Sequence, residues 1–117
     1  MRKRQRLKIF QSFLETILFE GGRNNLLIFT DPNSEKCIQF AAAKGDKLLI
    51  IYLPKASFNK EETQRLIDRF RPLIEEFEES WKAEISIQQG PLIAESIFHD
   101  IFLLSDDYSF ETEITLR

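Results

Sequence analysis

The chain has 117 residues, 43% of them hydrophobic and 30% charged, a globular balance that excludes a disordered chain and fits a single domain spanning residues 1–117. No apolar run approaches the ~20 residues a bilayer requires, which predicts no membrane partner. The net charge of −3 divides unevenly, with +5 in the first eight residues and −8 in the rest, so the body is acidic and lacks the positive field that phosphate binding calls for.

Leu7, Phe10, Leu14, Ile17 and Leu18 recur three and four apart, with Phe13 beside them, which predicts an amphipathic helix ending at Gly21-Gly22. The apolar run Leu26 to Phe29 reads as a strand, Asp31-Pro32-Asn33-Ser34 as a turn, and Glu35 to Ala43 as a second, alternating strand. Lys44-Gly45-Asp46 turns the chain into a third strand, KLLIIYLP. Two tight connections imply an antiparallel meander.

Asn59 followed by Glu62 has the spacing of a capping box, so a second helix is expected there. Its stripe of Leu66, Phe70, Leu73, Ile74, Phe77 and Trp81 predicts helix into the early eighties, with a kink or a restart at Pro72. Ala83, Ile85 and Ile87 alternate with polar residues as a short strand. Gly90-Pro91 opens a third helix, with Ile93, Ile97, Phe98, Ile101 and Leu104 facing inward. The final strand, YSFETEITLR, alternates with one wet face.

The resulting fold class is α+β: a single-domain sandwich in the order α-β-β-β-α-β-α-β, with a mostly antiparallel five-stranded sheet and helices packed on it. Leu49, Ile51, Phe70, Phe77, Ile97 and Ile101 are expected in the core. Leu48 to Leu53, however, are apolar without interruption, so Leu48, Ile50 and Tyr52 point to the face opposite Leu49, Ile51 and Leu53. A wrapping helix, a second copy or a bound partner must cover that face, and a twofold homodimer through Leu48, Ile50 and Tyr52 is the expected cover.

Three stretches carry a resemblance. NNLLIFTDPNSEKCIQF, with its Ile38-Gln39-Phe40 triplet, KLLIIYLPKASFNKEE, and the last helix followed by DDYSFETEITLR are similar to those of the superfamily of small bacterial proteins with the fold of type III secretion chaperones. That superfamily includes the YbjN-like proteins and the Tir-chaperone-like domains called TY-Chap. The resemblance implies a homodimer or monomer that holds a protein or peptide client, without a cofactor, and it carries over no functional residue.

The residues themselves offer little chemistry. His99, the only histidine, stands four residues after Glu95 and reads as a helix pair; Asp100, Asp106 and Asp107 give no recognised metal spacing. Cys37, the only cysteine, has no histidine nearby and reads as structural, in keeping with a reducing compartment. Glu75, Glu76, Glu78 and Glu79 read as the solvated face of the second helix, and Trp81, Tyr52 and Phe40 as core. No catalytic, cofactor or metal residue is assigned, and MRKRQRLKIF lacks a secretion signal, so a cytoplasmic setting is expected. The expected function is therefore a non-enzymatic protein- or peptide-binding module; the alternative is a nucleic-acid-associated or regulatory factor using the basic arm of Arg2, Lys3, Arg4 and Arg6.

Overall fold

In a computed structural model describing all of residues 1–117, the first apolar stripe becomes the buried face of helix α1 (Lys3–Phe19), carried by Phe10, Leu14, Ile17 and Leu18. Asn25 fastens its far end. The Asn25 amide donates to the carbonyls of Ile17 and Glu20 at 2.8 and 2.7 Å, while its oxygen accepts from the N–H groups of Gly22 and Arg117. These bonds occupy carbonyls that a helix end otherwise leaves unpaired.

Strands β1 (Asn25–Thr30), β2 (Cys37–Ala42) and β3 (Leu49–Pro54) form the expected meander, paired Leu27 to Phe40 and Phe40 to Ile51. Asp31 holds the first turn, its carboxylate accepting from the Ser34 N–H at 3.1 Å and the Ser34 hydroxyl at 2.5 Å. Helix α2 (Lys60–Phe70) starts at the capping box: Asn59 accepts from the Glu62 N–H and Glu62 from the Asn59 N–H, both at 2.8 Å. Glu62 also binds Lys36, tying the helix to the β1–β2 connection.

Beyond Phe70 the structure departs from the periodicity. Pro72 has no N–H to continue the ladder and its ring crowds the preceding turn. The helix stops, and the N–H groups of Leu73 and Ile74 close a turn onto the Phe70 carbonyl. The chain then forms a hairpin of β4 (Glu75–Glu76) and β5 (Ser80–Ile85), closed by the Phe77 N–H donating to the Ser80 carbonyl at 2.8 Å. The sheet thus has six strands rather than five. Trp81 is core as expected, but on a strand; Phe77 is 41% exposed and Phe70 half-buried, against the expectation for both. The four glutamates ride on this exposed hairpin, not on a helix.

Helix α3 (Gln89–Ser96) lies against α1, where Gly90 makes close approach possible: a Cβ there would meet Leu14 Cδ1 at 2.6 Å. It widens into a π turn over Ile97–Ile101, marked by the Phe102 N–H reaching the Ile97 carbonyl. Ile97, Phe98, Ile101 and Phe102 are all buried in the core here. Leu103, at φ 57°, ends the helix in the left-handed region, and β6 (Glu111–Thr115) follows.

The sheet order is β4-β5-β3-β2-β1-β6, antiparallel throughout. The three helices pack on one face, over Leu27, Phe29, Phe40, Leu49 and Ile51, in a core threaded by Phe10, Phe29, Phe98 and Phe110 in mutual edge or stacked contact. The shortest dimension, 22 Å, is that of two layers. No helix is long and apolar enough to cross a membrane.

Candidate functional site

Alternation along each strand divides the sheet into a covered and an uncovered face. In β1, β2 and β3 every second side chain is buried and the intervening ones are half-buried. The pairing register assembles the intervening set into rows. One row runs Glu113, Ile28, Gln39, Tyr52, Lys82, Glu75, and its neighbour runs Thr115, Leu26, Ala41, Ile50, Glu84. Residues paired across strands share a face, so these rows are physical neighbours on the surface.

The centre of this face is apolar. Leu26, Ile28, Ile50 and Tyr52 surround Ala41 and Gln39, with Glu111 and Glu113 on the β6 side and Lys82 and Glu84 on the β5 side. The Lys82 ammonium sits 4.9 Å from the Tyr52 ring and 4.5 Å from the Phe77 ring, within cation–π range of both, so the hairpin leans over the rim. At the end of the sheet nearest the β2–β3 turn, Arg23, Asp46, Ile50 and Tyr52 line a shallow depression of about 230 Å³. Of the three surface residues expected from sequence, Ile50 and Tyr52 lie at the centre, and Leu48, 45% exposed, lies just outside β3. Leu26, Ile28, Gln39 and Lys82 were missed. Only strand pairing places them beside Ile50 and Tyr52, although the unbroken run Leu26 to Phe29 already signalled a second apolar face.

The basic start of the chain is the first turn of α1 rather than a free arm. Arg2, Lys3 and Arg4 are exposed, but Arg6 is 1% exposed. Its guanidinium grips Glu95 through two bonds, Nε to Oε1 at 2.7 Å and Nη2 to Oε2 at 2.8 Å, and lies 3.9 Å from the Tyr108 ring. Its Nη1 donates to the carbonyls of Met1, Asp106 and Tyr108. Arg6 is thus a structural cation unavailable to phosphate, which removes it from the arm. Tyr108 completes the group, its hydroxyl donating to Glu95 Oε1 at 2.8 Å. Burial opposes the Glu95 charge, yet the bonds from Arg6 and Tyr108 outweigh it and hold the carboxyl below its ordinary range. Burial, then the bond to Glu95, pushes the Tyr108 phenol up.

His99 is accordingly not paired with Glu95. Its Nδ1 meets Asp100 Oδ1 at 2.8 Å and its Nε2 meets Asp106 Oδ1 at 2.6 Å; the bond to Asp100, then that to Asp106, raises its pKa above the ordinary value. Arg69 holds the other Asp100 oxygen at 3.0 Å. Cys37 lies on the uncovered face near its rim, with the Ser57 hydroxyl 3.8 Å from its sulfur. Arg4 and Lys8 line a groove of about 420 Å³ between α1 and α3, with Leu7, Pro91 and Leu92.

Comparison with models of protein families, with curated proteins and with solved structures finds none that matches this chain.

Proposed function

We propose that this chain is a non-enzymatic protein-binding module of the secretion-chaperone type, working in the cytoplasm and holding a polypeptide partner on the uncovered face of its sheet. The observation that carries the reading is the pair of apolar rows through Leu26, Ile28, Ile50 and Tyr52, which no helix covers and which charged residues rim. The strand-turn-strand, the third strand leading into the capped helix, and the last helix with its following strand, on which the resemblance to type III secretion chaperones rests, are all formed and lend the reading further support. The other surface use, nucleic-acid contact through Arg2, Lys3 and Arg4, is weaker: it loses Arg6, and the rest of the chain is acidic.

The test is a photoactivatable phenylalanine analogue at Tyr52, with a second placed at Arg71, away from that face, as the control. Irradiated in its native cells, the Tyr52 derivative should crosslink in good yield to a polypeptide, its own chain or another, while the Arg71 derivative stays at background. Equal, background-level crosslinking from both positions would overturn the reading.

A further inference from the structure

We infer that the polypeptide for which the uncovered face is built is a second copy of this chain, seated face to face about a twofold axis that runs along β2. The inference rests on the reading of this face as a polypeptide-binding surface and names the partner. It comes from the arrangement of the rows. Among the five long strands, in the order β5-β3-β2-β1-β6, β2 is the middle one, with two strands on either side. Turning the sheet half a revolution about β2 sets β6 of one copy over β5 of the other, and β1 over β3.

The consequences follow residue by residue. Glu113 of each copy comes over Lys82 of the other, because both occupy the row of Gln39 at two strands' distance from β2. Ile28 comes over Tyr52 and Leu26 over Ile50, apolar against apolar at all four places. Ala41, small enough for close approach of the sheets, meets its own copy. The other in-plane axis, run across the strands through the Gln39 row so that Gln39 again meets itself, would lay each strand over itself and bring Glu113 against Glu113 and Lys82 against Lys82. Like charges so placed are repelled, and the axis along β2 is selected.

Gln39 decides between a second copy and an arbitrary apolar client. It is the one polar side chain between Ile28 and Tyr52, and beneath an apolar segment its amide would lose water without replacement, at a cost. Across the axis it meets the same amide, with two donors and an acceptor on each side, and the pair can bond reciprocally. The footprint is small: five strands about 4.8 Å apart and about five residues long cover on the order of 400 Å² per subunit. That is about half the ~800 Å² per partner of a standard interface, so the expected dissociation constant is micromolar.

Sedimentation of the full chain from about 1 to 500 µM, bracketing a micromolar constant, tests this. The wild type should be a dimer in the upper range. Glu113→Lys and Lys82→Glu should each raise the dissociation constant at least tenfold, and the two together should restore it to near the wild-type value. Both side chains are on the wet surface of the isolated subunit, and circular dichroism confirms that each variant folds. Independently, Gln39→Cys on a Cys37→Ser background should crosslink to itself with a short bis-maleimide. A wild type that is monomeric throughout, or a dimer indifferent to all three charge variants and uncrosslinked at position 39, overturns the inference. A monomer whose Tyr52 derivative still crosslinks to another protein sinks the second copy alone and leaves the binding-module reading standing; a monomer with no such crosslink sinks both.

Discussion

At the scale of single residues, the governing feature is the buried group of Arg6, Glu95 and Tyr108. Sequence spacing pairs Glu95 with His99, four residues on, but Arg6 comes from the far end of the chain and offers two parallel charge-assisted bonds, which a histidine cannot. Glu95→Ala would leave the Arg6 cation buried without a counter-charge, and should cost about 3 kcal/mol in urea unfolding. Tyr108→Phe removes one bond to a charged acceptor and should cost about 1–2 kcal/mol. His99 makes a pH-dependent contribution of the opposite kind. Protonated, it donates from both ring nitrogens to Asp100 and Asp106, and its pKa in the folded chain lies above that in the unfolded one. Its stabilisation is therefore complete below the unfolded-state value of about 6.5 and is lost as pH rises through the raised value. Thermal unfolding of wild type and His99→Gln should differ at about pH 6 and converge at about pH 9. Equal differences at both would contradict the geometry. Neither His99→Ala nor Cys37→Ala should abolish partner binding, as judged by capture with the folded variants.

At the scale of elements, residues 71–81 carry the clearest lesson. Leu73, Ile74, Phe77 and Trp81 fall at helical spacing, yet the segment is a turn and a hairpin, because Pro72 stops the ladder and the edge of β3 offers a vacant row of backbone partners that β5 fills from Ser80 to Ile85. Periodicity cannot register an unpaired sheet edge. A helix through Phe77 would have buried it; the hairpin leaves it on the surface with Lys82. Phe77→Ser should therefore cost less than about 1 kcal/mol, the worth of an exposed cation–π contact, against about 3 or more for a core phenylalanine. Chemical denaturation distinguishes the two. The π turn was equally illegible, since Ile97, Phe98, Ile101 and Phe102 fit an ordinary helix as well.

At the scale of the whole molecule, three helices suffice for one face of the sheet and no more. Neighbouring positions on one strand should then respond in opposite ways. Ile51, 1% exposed beneath the helices, cannot take a lysine without burying an unpaired charge, so Ile51→Lys should prevent folding. Ile50, its immediate neighbour on the wet face, should accept lysine with a midpoint within a few degrees of wild type, or about 1 kcal/mol for a domain this size. Comparable destabilisation by both would mean that the chain itself covers the second face.

Much of the architecture was legible in the residues because the signals were local: the stripe of α1, the two turns of the meander, the Asn59 capping box and the alternation of β6 each depend on neighbours a few positions apart. The same holds for the apolar second face of β3, announced by Leu48 to Leu53. What tertiary structure alone decided were the matters that depend on distant partners. Arg6 became a buried structural cation because Glu95 and Tyr108 converge on it; the strand expected from Ala83 was extended back to Ser80 and joined by β4, in place of helix, because β3 had an open edge. Ile50 and Tyr52 joined Leu26, Ile28 and Gln39 in one surface because hydrogen-bond register, which no single strand carries in its own sequence, sets side chains from different strands side by side.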